Sequence, residues 1–231
     1  MLLFNLDLLT HDPLAFLRLM ALLVIGLLMA ITIHEFSHAL AAYKLGDDTA
    51  RRLGRLSLNP VKHLDPIGTL LLFLAGFGWG KPVPVDQFNL RYGRRGMALV
   101  AVSGAASNVA LAAAAAIPIK LGVLSLHSPV GLPLGAGGMD LLADLAVRLV
   151  FFNLVLAVFN LIPLSPLDGF NVAVGVLPRD PARAFARLAQ YGPVILIVLL
   201  AVGYLTPFNP LWQAMEPIID GLAVLFTGRR F

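Results

Sequence analysis

Two imidazoles one helical turn apart, with a carboxylate between them, can grip a metal ion and act on water beside it. The stretch ITIHEFSHALAAYKLG, residues 31–46, supplies that set as His34, Glu35 and His38. At about 3.6 residues per turn, His34 and His38 share one helix face and can hold one ion. Glu35 is rotated by about 100° and reaches a water beside it. The four-letter HExxH pattern also recurs by chance, and a lone histidine in an apolar run more often packs or hydrogen-bonds. Two features weigh against chance. The chain has only two glutamates, Glu35 and Glu216, and one of them falls between these histidines. An ionisable residue deep in a membrane span also costs about 2.5–3.5 kcal/mol on insertion scales, so three clustered polar groups require compensation.

A catalytic zinc site takes three protein ligands and leaves one position open. The candidate for the third is Asp168, in FNLIPLSPLDGF at residues 159–170. Pro163 and Pro166 stop the preceding helix, and Gly169 permits a tight turn. Asp168 is thereby left at the same membrane end as the two histidines. By itself it reads as a turn or cap residue of an Asp-Gly pair. Beside His34 and His38 it becomes the oxygen ligand of a His-His-Asp site for one catalytic zinc.

The elements that must position these residues follow from composition. The chain is 58% hydrophobic and 13% charged over 231 residues, with a mean hydropathy of +0.85, which marks an integral membrane protein. No basic face with interleaved aromatics supports nucleic-acid binding, despite the net charge of +4. Cysteine is absent, which excludes disulfides, thiolate metal sites and a cysteine nucleophile. Apolar segments lie at Leu14 to Tyr43, Gly96 to Leu121, Asp140 to Pro163, Tyr191 to Thr206 and Leu211 to Thr227. The first is too long for a signal peptide and is kept as a span. Pro66 to Pro84 is apolar but broken by glycine and proline, so it reads as a short re-entrant or β-hairpin element.

Lys44, Arg51, Arg52, Arg55, Lys62, Lys81, Arg91, Arg94 and Arg95 follow the first span, and Arg179, Arg183 and Arg187 follow the third. These fall on one side if five segments cross. The positive-inside bias makes that side, and with it the active site, cytoplasmic, with the N-terminus outside. The expected setting is a bacterial or archaeal cell membrane, with the lipid bilayer as the chain's surroundings.

HEFSHA, SLNPVKHLDPIGTLL, GWGKPVPV and NLIPLSPLDGF, in that order, resemble the site-2 protease family of intramembrane zinc metalloproteases over residues 20–175. The resemblance implies a six-helix or similar bundle that holds zinc below the membrane surface, and a substrate that is itself a transmembrane protein segment or peptide. It also implies that His34, His38 and Asp168 are the zinc ligands, that Glu35 is the catalytic base, and that Asn160 lies near the scissile carbonyl. The middle helix departs from the family's usual Gly-Pro by reading Gly104, Ala105, Ala106, Ser107, Asn108. PDZ and CBS modules do not fit in these loops, which points to the minimal form. The expected fold is an all-α polytopic membrane protein of about five to six transmembrane helices. It is read as one metalloprotease domain over 1–231, with a core at 14–175 and C-terminal helices within 191–227.

Several further residues carry expectations. Asn108 can hydrogen-bond to the HExxH helix, with a substrate contact as its functional alternative. His63 reads as a solvated or capping residue. Asp144 and Arg148, four apart, can neutralise each other near the outer face. Trp79 and Trp212 suit the membrane interface. If GWGKPVPVD is extended, Pro82 and Pro84 blunt one edge, and Lys81, Val83 and Val85 keep N–H groups on the other, where a substrate strand can add. A zinc carrier or a silent relative that binds membrane segments is the competing function. A carrier would place polar stations along a path, and a silent relative would not need Glu35. Homo-oligomerisation stays open.

Overall fold

The computed structural model describes residues 6–75, 78–132, 135 and 137–231. A short helix α1 (Leu6–His11) leads into α2 (Pro13–Lys44). Asp12 caps α2 by accepting a hydrogen bond from Ala15 N at 2.9 Å, and Pro13 opens it where no N–H is needed. Past Lys44 the chain reverses at Gly46, whose φ of +110° favours glycine. Then come α3 (Thr49–Arg52), a 3-10 turn at Pro60–His63 and α4 (Pro66–Ala75). The remaining helices are α5 (Arg94–Lys120), α6 (Gly138–Asn160), α7 (Asp168–Val176), α8 (Arg179–Ala186), α9 (Gly192–Leu205) and α10 (Pro210–Thr227).

The all-α membrane fold stands. Among the described residues, four helical runs are long and apolar enough to cross a bilayer, namely Pro13–Lys44, Arg94–Lys120, Gly138–Asn160 and Arg179–Leu205. The fifth apolar segment expected, Leu211 to Thr227, forms helix α10. The 18-residue helix α10 falls short because Gln213, Glu216 and Asp220 interrupt its apolar character. The stretch from Pro66 to Pro84 also differs from a hairpin. Its first part is helix α4; residues 76 and 77 lie outside the described residues; beyond them Gly80 forms one isolated antiparallel bridge with Leu64. Pro82 and Pro84 lack the donors that would extend that bridge into a ladder.

Helix α5 is central and packs against α2, α6, α7 and α10. The alanine run at 112–116 suits this role, because small side chains let helices approach closely in a membrane. Ala112 and Ala116 are fully buried against Val147, Val150 and Leu154 of α6 and Met215, Ile219 and Ala223 of α10. α5 also runs as one α-helix through Ala105.

Asp144 and Arg148 do pair, at 2.9 Å, but both are wholly buried. Arg148 Nη2 also donates to Gly131 O at 2.8 Å, and His127 Nε2 stands 2.6 Å from the same Asp144 oxygen. Removing the arginine takes from the buried Asp144 carboxylate its guanidinium partner. Arg148→Ala should therefore lower unfolding stability by about 3–5 kcal/mol, measured by denaturant titration of the purified protein in detergent. An unchanged midpoint would contradict the pairing.

Candidate metal and active site

The sequence-predicted residues His34, His38 and Asp168 meet. His34 Nε2 lies 3.0 Å and His38 Nε2 3.1 Å from Asp168 Oδ2. The two rings stand edge to face, with centroids 4.5 Å apart. Their ligand atoms all fall within 4.8 Å of one another, as binding a single ion requires. The two helix-borne histidines come from α2, and Asp168 comes from the first turn of α7, just past the Pro163–Pro166 break.

Hydrogen bonding fixes which nitrogen of each ring carries its proton. Asn108 Nδ2 faces two acceptors, Ala30 O at 3.0 Å and Asn153 Oδ1 at 2.6 Å, so its Oδ1 must be the atom turned toward His34. His34 Nδ1, 2.6 Å from that oxygen, is then the donor. His38 Nδ1 faces the carbonyl of Val100 at 2.8 Å and must also donate. A neutral imidazole that donates from Nδ1 keeps a lone pair on Nε2. Both lone pairs therefore point at a carboxylate oxygen about one hydrogen-bond length away. Three acceptors facing each other repel unless a cation or extra protons join them, and this donor set of two imidazoles and one carboxylate fits zinc.

Glu35 accepts a hydrogen bond from Val83 N at 3.2 Å and lines, with the three candidate ligands and Asn160, a cavity of about 570 Å³. The rest of that cavity's wall is largely apolar, including Leu27, Ile31, Phe159 and Leu200. Asn160 Nδ2 donates one hydrogen bond to Leu156 O at 3.0 Å, leaving its second N–H for the cavity.

Other expected residues are placed as follows. Asn108 is fully buried, with its amide oxygen on His34 Nδ1 and its nitrogen on Ala30 O and Asn153 Oδ1, which orients the His34 ring. The free edge expected at Lys81, Val83 and Val85 is largely used. Lys81 N donates to His63 O at 2.8 Å, and Val83 N donates to Glu35. A guest strand would have to displace those two hydrogen bonds. Val85 lies on the cavity wall. His63 is wholly buried, with Nε2 2.7 Å from Ser57 O, because the segment after α4 folds over it.

Comparison with known proteins bears on this arrangement. No family profile matches the chain, and no solved structure matches it. The candidate zinc metalloprotease YwhC of Bacillus subtilis is 38% identical over 216 residues, covering 91% of this chain and 93% of that protein. The chain belongs to the site-2 protease family. The candidate zinc metalloprotease Rip2 of Mycobacterium tuberculosis is 32% identical over 196 residues, 82% of this chain and 70% of its own. Rip3 of the same species is 28% identical over 182 residues, which is 77% of this chain and 37% of Rip3.

In this member of the site-2 protease family, Gly104 supplies the space the imidazoles occupy. A Cβ there would stand 2.5 Å from His38 Cε1 and 2.7 Å from His34 Cε1. The sequence showed Gly104 as part of the departure from Gly-Pro, with nothing to say what it faces. It gave Asp47 and Asn153 no role, and Arg55 only a place in the charge bias. Asp47 is fully buried yet lies beside Asp48, which is exposed enough to pair with Arg52 at the surface, and nothing local separates the two. Burial works to raise the Asp47 carboxyl. Hydrogen bonds from Thr49, Asp86 and Asn89 outweigh it and hold the group below the ordinary aspartate range.

Gly104→Ala should push the imidazoles off the ligand geometry. The expected result is a fall of about tenfold or more in zinc affinity, read by competition with a chromophoric chelator, while α5 stays helical by circular dichroism. Unaltered affinity would show that the rings do not need this space.

Proposed function

We propose that the chain is a zinc metalloendopeptidase that hydrolyses peptide bonds within transmembrane segments of membrane proteins, from a site opening toward the cytoplasm. One observation carries the reading: three converging acceptor atoms, with Glu35 and Asn160 beside them, open onto an apolar cavity between membrane helices. Such a cavity takes an apolar guest, and three of its polar side chains bring their ligand atoms within 4.8 Å of one another, as hydrolysis at a single bond requires.

His34, His38 and Asp168 would hold the zinc, which would supply Lewis acidity toward a peptide carbonyl and water. Glu35, through a carboxylate oxygen, accepts the proton of the attacking water and delivers it to the nitrogen of the leaving amine. The second N–H of Asn160 Nδ2 donates to the carbonyl oxygen as negative charge builds there. Asn108 and Val100 hold the imidazole tautomers throughout. The apolar wall excludes bulk water from the substrate, which strengthens each of these polar contacts. A helical substrate hides its carbonyls in its own hydrogen-bond ladder, so segments that carry Gly, Pro or Asn near the cut are the favoured guests.

The orientation rests on charge. Lys44, Arg91, Arg94, Arg95 and Arg179 lie near the membrane end that carries the site, and the positive-inside bias makes that end cytoplasmic. A cysteine introduced at position 130 should label from outside and one at position 93 only after permeabilisation. The reverse pattern would turn the site outward.

Glu35→Gln tests the chemistry. Glutamine cannot take the water's proton, but the ligands remain, so this variant should retain one zinc per chain and lose cleavage of a synthetic transmembrane peptide, read by mass spectrometry. Asp168→Ala should lose both. Full cleavage by Glu35→Gln, or a zinc-free Glu35→Gln protein, would overturn the assignment.

A further inference from the structure

Pro82 and Pro84 flank Val83, so Val83 provides the only backbone N–H between them. That N–H is on Glu35 Oε2 at 3.2 Å. Both ends of the short segment are tied down by buried charged side chains. On the far side, Asp47 Oδ2 accepts from Asp86 N at 2.7 Å. Its other oxygen, Oδ1, accepts from Thr49 N, Thr49 Oγ1 and Asn89 Nδ2 at 3.1, 2.6 and 3.3 Å. On the near side, Arg55 Nη2 donates to the carbonyls of Lys81 and Pro82, the latter at 3.3 Å. Asp47 is 0% and Arg55 6% exposed.

Asp47 sits just past the end of the helix that bears His34, Glu35 and His38, which gives the tie its significance. The same helix that supplies the base also carries, three residues past its last turn, the carboxylate that fixes the segment facing that base. The stiff Pro82–Pro84 link passes the position of either anchor on to Val83, because each proline locks φ near −65°.

We propose that Asp47 and Arg55 are positioning residues for the general base. From the two sides of Val83 they hold Lys81–Asp86 so that the Val83 N–H stays on the Glu35 carboxylate and fixes the rotamer from which Glu35 works. This rests on the role given to Glu35 above. It extends the functional constellation to two residues outside the HExxH motif and assigns them no contact with substrate or metal.

Asp47→Asn discriminates between the two oxygens. An asparagine whose oxygen keeps the three donors at the Oδ1 position turns an NH2 toward Asp86 N–H, donor against donor, and releases that end of the segment. Thr49→Ala serves as the control: it removes a hydrogen bond from the same carboxylate but leaves the Asp86 tie in place. A merely structural role for Asp47 predicts that the two variants behave alike.

Two readouts on the purified full-length protein test the proposal. Hydrogen exchange over residues 81–86, where the prolines contribute no amide, should be slow in the wild type and in Thr49→Ala, and fast in Asp47→Asn and in Arg55→Gln. Cleavage of a synthetic transmembrane peptide should show kcat lower by between about 10-fold and about 100-fold in Asp47→Asn, the range expected when a catalytic group is slightly misplaced. KM and zinc content should stay close to wild type. In a Val83→Pro background, Asp47→Asn should produce no further loss, because both changes then act on one missing contact. Unchanged exchange, unchanged kcat, or losses that multiply in the double variant would each overturn the proposal. Should Asp47→Asn fail to fold, Arg55→Gln carries the same comparison from the other anchor. Faster exchange in the variants together with a wild-type protein that cuts nothing would leave the anchoring intact and count against the proteolytic reading instead.

Discussion

Three potential ligand atoms, two imidazole Nε2 and one carboxylate oxygen, are brought within 4.8 Å of one another among long apolar helices. Everything near them is arranged to maintain that unfavourable convergence. The Nδ1 proton of each imidazole is committed outward, to Asn108 and to the Val100 carbonyl. Gly104 gives up its side chain so that the rings fit against α5. The break after α6 turns α7 so that its first residue presents a carboxylate. A cation is the simplest partner that removes the repulsion, and the cluster is therefore best understood as built for one.

Burial among apolar helices explains why the network around the imidazoles is well satisfied. An unsatisfied polar group in hydrocarbon costs several kcal/mol, so each group recruited to orient a ligand must itself be satisfied. Asn108 is, through Ala30 and Asn153; Asn153 in turn donates to Leu149 O at 2.8 Å. The chain from α2 through α5 to α6 thus ends on a backbone carbonyl with no loose atom between. Asp47, whose carboxylate accepts from Thr49, Asp86 and Asn89, extends the same logic to the edge of the site, where the irregular segment after α4 would otherwise have no ladder to hold it. Asp144, Arg148 and His127 form a separate buried cluster that stabilises the bundle without touching the site.

The parts legible in the sequence were those set by local periodicity and local breaks. His34 and His38 share a face because they are four apart, and Asp168 is presented because Pro163 and Pro166 end a helix. The apolar runs likewise announced an all-α membrane fold. What stayed hidden depends on contacts between distant segments. Asn108 looks like one polar residue in an alanine-rich helix until α2 is laid beside it. His63 looks solvated until the chain after α4 covers it. Lys81 and Val83 look like free donors until His63 O and Glu35 are found opposite them. Asp47 and Asp48 are identical in type and adjacent in sequence, and only the return of residues 86–89 buries one and leaves the other at the surface.

The central claim is that His34, His38 and Asp168 converge to bind one zinc. X-ray absorption at the zinc edge, on the purified protein loaded with a single equivalent of zinc, tests it most directly. The account predicts a first shell of two imidazole nitrogens with oxygen making up the remainder, and a loss of imidazole scattering in His38→Ala. An all-oxygen shell without imidazole scattering, or a spectrum indifferent to His38→Ala, would contradict it.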